Sequence, residues 1–221
     1  SASTQYTLYV RPVCGVGDTG NSRTVTARTT CANATLPYVE NFDTYTTSTT
    51  AATGVTANCW DAILTGTATY QTGSYVPQVY YSSSNAHSGN YSYRLYGMGY
   101  HMLPPMPTSL DSLELTFWDY TTSTSYGLEV GVMEGTNFVP VQVINTPTST
   151  HMQHTVYFST YTGTSRVIAF RNWYTTSTTT YYSYHYLDDV HVHYIPTCAP
   201  VMAMSVDTAT IGSITIDWTD V

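Results

Sequence analysis

The sequence predicts an all-β protein whose main part is a jelly-roll β-sandwich. Apolar and polar residues alternate with a period of two in many short runs, which is typical of strands with one buried face. Threonine, valine and tyrosine are abundant in these runs, and these residue types favour strands. Glycine-containing breakers separate the runs at roughly 8–12-residue intervals, a spacing that is typical of two packed antiparallel sheets.

Five runs carry the alternation most clearly, and they extend from one end of the chain to the other. They cover residues 6–13, 113–118, 128–133, 190–195 and 213–218. In the second run, Leu113, Leu115 and Phe117 share one face of the predicted strand, because successive side chains of a strand point to opposite faces. Trp118 belongs to the other face, away from the predicted core.

Three segments between the strands consist almost entirely of threonine, serine and tyrosine: 44–53, 121–126 and 174–186. The plainer interpretation is that they are exposed connections. The alternative is a binding rim, because tyrosine offers a flat and rigid face while threonine and serine supply hydrogen bonds. The rim residues would be Tyr174, Tyr181, Tyr182, Tyr184 and Tyr186.

The charge of the chain excludes several classes of function. The 221 residues contain 14 acidic and only 6 basic side chains, all arginine, for a net charge of −8. Without lysine there is no Schiff-base or phosphate-loop chemistry. We expect no nucleic-acid partner, because phosphate binding needs clustered basic residues. No apolar run approaches the roughly 18 residues of a membrane-spanning helix.

Both ends of the sequence resemble parts of fibronectin type III modules. Residues 1–31, with the tyrosine-bearing run TQYTLYVRPVCG, resemble the last two strands of one module. Residues 197–221, with CAP near the start and ITIDW further on, resemble the first two strands of another. The predicted organisation is therefore a central domain at 32–196 between two incomplete fibronectin-like flanks.

The central domain resembles the jelly-roll modules called cleaved adhesin or MAM-like domains, which occur in secreted adhesins and proteases of Bacteroidetes. Eight short motifs carry the resemblance in family order. They are LPYVENFD (36–43), NCW (58–60), HSG (87–89), LELTFW (113–118), LEVGVM (128–133), FVPV (138–141), RVIAFR (166–171) and YLDDV (186–190). The resemblance implies an extracellular, secreted or cell-surface setting.

Four acidic residues, Glu40, Asp43, Asp188 and Asp189, lie near the two ends of the central domain. The resemblance implies a structural calcium ion near these motifs, with loop 87–90 supplying backbone oxygens. Calcium takes about six to eight oxygen ligands. Because adjacent strand residues point to opposite faces, we expect at most one of the two consecutive aspartates to coordinate unless the chain kinks there, and favour Asp43 and Asp189. The alternative is that these acids cap turns or accept backbone N–H groups.

Four cysteines allow three pairings. The resemblance implies a disulfide between Cys31 and Cys59. Cys14 and Cys198 would then pair across neighbouring modules or chains. In one interpretation identical subunits meet end to end through their fibronectin-like ends; in the other, the missing strands simply lie outside this stretch.

Other chemistry is less specific. Glu114, Glu129 and Glu134 could supply a glycosidase-like carboxylate pair, the first two pointing outward from one sheet. His191 and His193 share a strand face and could chelate zinc, although the sequence offers no obvious third ligand.

Two short patterns, Asp-Ser-Leu around Ser112 and Asp-Thr-Ala around Thr208, fit the O-glycosylation signal of the same bacterial group.

Together these features favour an extracellular adhesive or structural repeat without catalysis of its own. It would be stabilised by calcium and disulfides and would bind a host protein or a glycan. The alternative function is a carbohydrate-binding module of a larger secreted hydrolase.

Overall fold

The computed structural model of the chain describes residues 5–28, 31–45, 59–64, 77–96, 99–122, 126–174, 184–196 and 201–220. These residues form seventeen strands and one 3-10 turn, Leu110–Ser112. The strands are β1 (Gln5–Val10), β2 (Val13–Gly15), β3 (Asp18–Thr19), β4 (Arg23–Arg28), β5 (Tyr38–Glu40), β6 (Asp61–Leu64), β7 (Gln78–Tyr81), β8 (Tyr91–Tyr96), β9 (Gly99–Met102), β10 (Leu113–Thr121), β11 (Tyr126–Glu134), β12 (Asn137–Ile144), β13 (Met152–Tyr157), β14 (Ile168–Tyr174), β15 (Tyr184–Tyr194), β16 (Val201–Ala209) and β17 (Ile214–Asp220).

Two antiparallel sheets form the central sandwich. The first sheet has the order β13-β10-β15-β8-β7, and β5 also pairs with β15. The second sheet has the order β12-β11-β14-β9-β6. The prediction of an all-β sandwich is therefore confirmed.

The core lies between the inward faces of the two sheets. Leu113, Leu115 and Phe117 of the first sheet are fully buried, as are Leu128 and Val130 of the second. The period-two alternation produces this arrangement because every second side chain of a strand points to the same face. Phe42, Trp60, Tyr93 and Phe170 add a cluster of packed rings to this core.

A buried histidine lies beside this ring cluster. His101 is fully buried, and its Nδ1 atom lies 3.1 Å from the hydroxyl of Tyr93. Burial lowers the pKa of His101 to about 3, because the interior solvates the charged imidazolium poorly. The imidazole is therefore neutral in the folded protein at neutral pH.

The outer face of the second sheet is covered by its own side chains. Met102, Met133, Phe138 and Ala169 form a small buried cluster there. The Phe138 ring lies over Gly131, where an added Cβ would come within 2.6 Å of the ring atom Cζ. The guanidinium of Arg171 lies 4.4 Å from the centre of the Phe138 ring on this face.

A disulfide joins Cys31 to Cys59, whose Cα atoms lie 5.6 Å apart. Closing a loop of 28 residues in this way stabilises the fold by about 3.5 kcal/mol through the unfolded chain. Cys14 is exposed and forms no disulfide within the described chain. Cys198 lies outside the described residues, so a pairing of Cys14 with Cys198 stays a prediction.

Each flank of the sandwich forms an antiparallel hairpin. β1 pairs with β4, with the short pair β2 and β3 near their turn, and β16 pairs with β17. The assignment of these hairpins to fibronectin type III modules, and the proposed domain boundaries, stay predictions.

Within the described residues, no helix is long and apolar enough to cross a membrane.

Candidate functional site: an aromatic strip on the outer face of the first sheet

Seven rings form a continuous row on the outer side of the first sheet and at one of its ends. We call this row the aromatic strip. It consists of Tyr80, His87, Trp118, Tyr120, His151, Tyr184 and Tyr186.

The alternation of the strands places these rings outside the core. On β10, Trp118 and Tyr120 point outward because Phe117 points inward and is fully buried. On β15, Tyr184 and Tyr186 point outward by the same rule.

Tyr186 lies at the centre of the strip. Its ring centre is 5.9 Å from that of Tyr80, 6.0 Å from that of Tyr184 and 5.9 Å from that of Tyr120. The strip continues from Tyr120 to His151, whose ring centres are 4.8 Å apart. These separations lie within the 4.5–7 Å range that is typical of favourable aromatic pairs.

The other end of the strip is a stacked pair. The rings of His87 and Trp118 lie 3.6 Å apart and nearly parallel, and His87 lies 6.1 Å from His151. His151 Nε2 lies 3.2 Å from the carbonyl oxygen of Asn85, which fixes the second imidazole. Both imidazoles therefore have defined orientations within the strip.

Arg94 of β8 packs beneath the tyrosine end of the strip. Its guanidinium carbon lies 4.4 Å from the ring centre of Tyr80 and 5.2 Å from that of Tyr184. Both distances are short enough for cation–π attraction. Burial raises the pKa of Tyr186 to about 12, although Arg94 acts in the opposite direction. The Tyr186 hydroxyl therefore keeps its proton at neutral pH.

A buried polar network holds the strand that carries Trp118 and Tyr120. Asp119, which points inward between them, accepts a hydrogen bond of 2.6 Å from Thr146 Oγ1 and lies 2.9 Å from His185 Nδ1. His154 Nε2 lies 3.0 Å from the same threonine hydroxyl. These contacts hold the Asp119 side chain between the two rings, while the buried Nε2 of His185 has no hydrogen-bond partner in the described part of the chain.

Three aspartates hold the loop that positions His87. We call Asp43, Asp188 and Asp189 the acidic clamp. Asp188 Oδ2 accepts the backbone N–H groups of His87 at 2.7 Å and Ser88 at 3.0 Å. Asp189 accepts the Ser88 hydroxyl at 2.9 Å and lies 2.7 Å from His87 Nδ1. Asp43 Oδ1 accepts the backbone N–H of Asn90 at 3.1 Å.

A β-bulge brings both consecutive aspartates to this loop. Asp189 has a positive φ of 45°, and the pairing of β10 with β15 shifts register between Thr116 and Trp118. Regular alternation predicts that Asp188 and Asp189 point to opposite faces, so at most one would contribute. The structure shows both carboxylates on the same loop because the extra residue of a bulge re-aims the side chains.

Hydrogen-bond donors already contact the carboxylate oxygens of Asp188 and Asp189. Both oxygens of Asp188 and both oxygens of Asp189 have partners, one Asp188 oxygen accepting the Asp189 N–H at 2.8 Å. Glu40 instead accepts the N–H of Phe42 at 2.9 Å. Burial raises the pKa of Asp188 to about 6, against the effect of its three N–H donors.

Within the described part of the chain, no three Asp, Glu, His or Cys side chains surround a common point suited to a metal ion. Calcium binding by Glu40, Asp43, Asp188 and Asp189 therefore stays a prediction. The arrangement fits the alternative, in which the acids accept N–H groups.

The structure does not bring Glu114 and Glu129 together as a carboxylate pair. Glu114 belongs to β10 in the first sheet, and Glu129 belongs to β11 in the second. Glu114 lies 3.2 Å from His193 Nε2, whereas Glu129 forms an ion pair with Arg171 at 2.5 Å. The two carboxylates thus point outward from opposite sides of the sandwich.

The structure places only part of the predicted tyrosine rim. Tyr184 and Tyr186 belong to the aromatic strip, whereas Tyr181 and Tyr182 lie outside the described residues. Tyr174 ends β14, and only its backbone is described.

The two predicted glycosylation positions, Ser112 and Thr208, are both exposed, and their modification stays a prediction.

Sequence reasoning missed most of the strip, namely Tyr80, His87, Trp118, Tyr120 and His151. One sequence signal could have found part of the strip: Trp118 and Tyr120 are two residues apart on one predicted strand and therefore share its outward face. The contributions of β7 and of the two histidines depend on tertiary packing and left no local pattern.

Comparison with known proteins gives the following similarities. The chain is similar to the K1 cleaved adhesin domain of Lys-gingipain from Porphyromonas gingivalis, with 17% identity, a TM-score of 0.48, and coverage of 73% of this chain and 100% of that one. It is similar to the K2 cleaved adhesin domain of Lys-gingipain, with 13% identity, a TM-score of 0.48, and coverage of 71% and 97%.

It is also similar to a carbohydrate-binding module from the β-sandwich superfamily, with 12% identity, a TM-score of 0.44, and coverage of 86% and 74%. No family model matches the sequence, and no curated protein matches it. The cleaved-adhesin, MAM-like and fibronectin-like assignments stay predictions.

Proposed function

We propose that this chain is an extracellular, non-catalytic adhesive module that binds carbohydrate through the aromatic strip. The observation that carries the proposal is the row of seven rings, six of which are half-buried or exposed around the buried ring of Tyr186. Tyrosine, tryptophan and histidine rings offer apolar faces to the C–H side of a sugar ring, while their hydroxyl and N–H groups form hydrogen bonds at the edges.

The rigidity of the strip supports binding rather than mere packing. Asp119 fixes the strand beneath Trp118 and Tyr120, and the acidic clamp fixes His87. A surface that is already ordered loses less conformational entropy when a ligand binds.

The polarity of the strip supports a sugar over a charged polymer. Its members carry hydroxyl, indole and imidazole groups, and the chain as a whole has a net charge of −8. A strongly anionic ligand would be repelled by this net charge.

A carbohydrate-binding module attached to a secreted hydrolase would use the same strip. The two versions of the function differ in what the rest of the polypeptide does. Repeats of the module on either side would favour the adhesive protein, and a catalytic domain would favour the hydrolase.

The test is a glycan array with the purified chain, followed by calorimetric titration of the best ligand. We expect Trp118→Ala and Tyr120→Ala each to raise the dissociation constant about tenfold or more, because each removes one stacking face. Far-ultraviolet circular dichroism would verify that both variants are folded.

Tyr157→Ala is the matched control. Tyr157 is 48% exposed on β13 of the same sheet but does not belong to the strip. Its removal should leave affinity unchanged. The proposal is wrong if no glycan binds, or if the Tyr157 variant loses as much affinity as the strip variants.

A further inference from the structure

Two histidine rings lie side by side at one end of the aromatic strip. The ring centres of His87 and His151 are 6.1 Å apart, and the ring planes are inclined by 59°. Both rings are within reach of solvent, because His87 is exposed and His151 is half-buried. Imidazole nitrogens suit Zn²⁺, Cu²⁺ and Ni²⁺ as ligands, so the pair is a candidate site for a transition-metal ion.

Each histidine has one ring nitrogen beside an oxygen acceptor. His87 Nδ1 lies 2.7 Å from a carboxylate oxygen of Asp189, and His151 Nε2 lies 3.2 Å from the carbonyl oxygen of Asn85. A neutral imidazole carries one N–H group and one lone pair. Donation of the N–H group to these acceptors therefore leaves the lone pair on His87 Nε2 and on His151 Nδ1.

Metal-bound histidines have the same pattern of contacts. A histidine that binds a metal through one nitrogen almost always donates its other N–H group to a carboxylate, a backbone carbonyl or water, which fixes the tautomer and the direction of the ring. Here Asp189 supplies the carboxylate and Asn85 the carbonyl. Both histidines are thus prepared to bind a metal through the nitrogen that remains.

The neighbouring aromatic rings restrict the two imidazoles further. The ring of Trp118 stacks on His87 with 3.6 Å between the ring centres, and the ring of Tyr120 lies 4.8 Å from that of His151. Ligands that are already ordered lose less conformational entropy when they bind. The net charge of −8 also favours cations.

The separation of the two rings is close to the one that a shared ion requires. An ion at about 2.0–2.1 Å from one nitrogen of each ring, in tetrahedral geometry, would place the ring centres roughly 5 Å apart. The observed separation is 6.1 Å. An approach of roughly 1 Å between two side chains that solvent can reach would therefore complete the site.

We propose that His87 Nε2 and His151 Nδ1 together bind one divalent transition-metal ion, with Asp189 as the outer partner that orients His87. Cu²⁺ binds more tightly than Zn²⁺ or Ni²⁺, following the general order for nitrogen ligands. Among the residues that the structure describes, no third Asp, Glu, His or Cys side chain joins the pair around a common point, so water fills the remaining coordination positions. The proposal does not depend on carbohydrate binding, and its tests use the chain without a glycan.

Calorimetric titration of the purified chain at pH 7.5 with zinc, nickel and glycine-buffered copper chloride tests the site. We expect one ion per chain. His87→Gln and His151→Gln should each raise the dissociation constant of Cu²⁺ at least about tenfold, since the loss of an outer partner alone typically costs that much. The proposal is overturned if no ion binds, or if either substitution leaves the affinity unchanged.

A double variant, His191→Gln with His193→Gln, is the matched control. These two histidines share a face of β15 in the same sheet. Both ring nitrogens of His193 already lie near oxygen atoms, one 3.2 Å from Glu114 Oε1 and the other 3.1 Å from the carbonyl of Tyr194. The control should keep the stoichiometry and affinity of the unmodified chain. Loss of the ion in this control would contradict the proposal.

Asp189→Asn tests the outer partner. Asparagine has nearly the same shape as aspartate and also tolerates the positive φ of 45° at this position. Its neutral oxygen is a weaker acceptor for His87 Nδ1–H, so the dissociation constant of Cu²⁺ should rise about tenfold. An unchanged constant would overturn the role assigned to Asp189.

Two spectra of the unmodified chain identify the ligands without any substitution, and they decide the question even if a variant fails to fold. Electron paramagnetic resonance of bound Cu²⁺ should show coupling to two nitrogens. Long-range ¹H–¹⁵N spectra should show that Zn²⁺ shifts the ring signals of His87 and His151 and of no other histidine. Coupling to a single nitrogen, or shifts confined to other histidines, would overturn the proposal.

Discussion

At the scale of single residues, Asp119 decides how Trp118 and Tyr120 are presented. Its inward carboxylate is held by Thr146 and His185, and the two neighbouring rings consequently turn outward. This inward or outward direction could be predicted from the alternation of the sequence. The polar partners of Asp119 could not, because they come from other strands.

His101 makes stability depend on pH. Its pKa is about 3 in the folded protein and 6.5 in the unfolded chain, so the unfolded state takes up a proton first as pH falls. The free energy of unfolding therefore decreases as pH falls from 6.5 toward 3. Between neutral pH and about pH 4.5, we expect His101 to remove about 3 kcal/mol from the free energy of unfolding.

Urea unfolding of the unmodified chain and of His101→Gln at several pH values measures this effect. The variant starts less stable but should lose about 3 kcal/mol less over the same pH interval, since glutamine does not titrate. His154, whose pKa burial also lowers, is present in both proteins and cancels in the comparison. Equal pH dependence of the two proteins would contradict the prediction.

At the scale of elements, loop 87–90 depends on one glycine. Gly89 has a φ of +53°, and a Cβ added there would overlap the Asp43 carboxylate. Gly89→Ala should therefore combine backbone strain with loss of the Asp43 contact. We expect a loss of about 3 kcal/mol in the free energy of unfolding, measured by denaturant titration.

Gly135→Ala separates these two causes. Gly135 has a similar φ of +64°, but no atom lies within 4 Å of the position of an added Cβ. Its substitution should cost only the strain, about 1 kcal/mol. If both variants lose the same amount, the hydrogen bond between Asp43 and the Asn90 N–H contributes nothing.

The strands themselves follow from the sequence, but their irregularities do not. Alternation predicts β10, β11 and β15 because their inward side chains are apolar. The bulge at Asp189 escapes such reasoning, since it depends on pairing with β10. Alternation alone sends Asp188 and Asp189 to opposite faces, and the bulge supplies the kink that brings both carboxylates to loop 87–90.

At the scale of the whole molecule, the acidic clamp joins three segments that are distant in sequence. Asp43 follows β5, loop 87–90 precedes β8, and Asp188 and Asp189 belong to β15. Hydrogen bonds already satisfy the carboxylates of Asp188 and Asp189. We therefore expect thermal melting to be unchanged by calcium or by a chelator.

Differential scanning calorimetry with calcium and then with excess chelator provides the measurement. Asp43→Asn should lower the melting temperature equally under both conditions, since it weakens the same N–H contact each time. A melting temperature that rises with calcium and falls again with chelator would contradict this prediction and would support the ion implied by the sequence motifs.

The sequence could not reveal which strands share a sheet. Glu114 and Glu129 have similar local patterns, yet they belong to different sheets because β10 pairs with β13 and β15, whereas β11 pairs with β12 and β14. Pairing between distant strands depends on the packing of the complete core. The strip has the same origin, since its rings come from three strands and two loops.

The outer faces of the two sheets differ, because the Phe138 ring covers Gly131 on the second sheet. A small buried cluster occupies this side of the second sheet, whereas the described part of the first sheet carries the aromatic strip. Several such strips carried side by side would gain avidity for a ligand-bearing surface only when they turn toward it together.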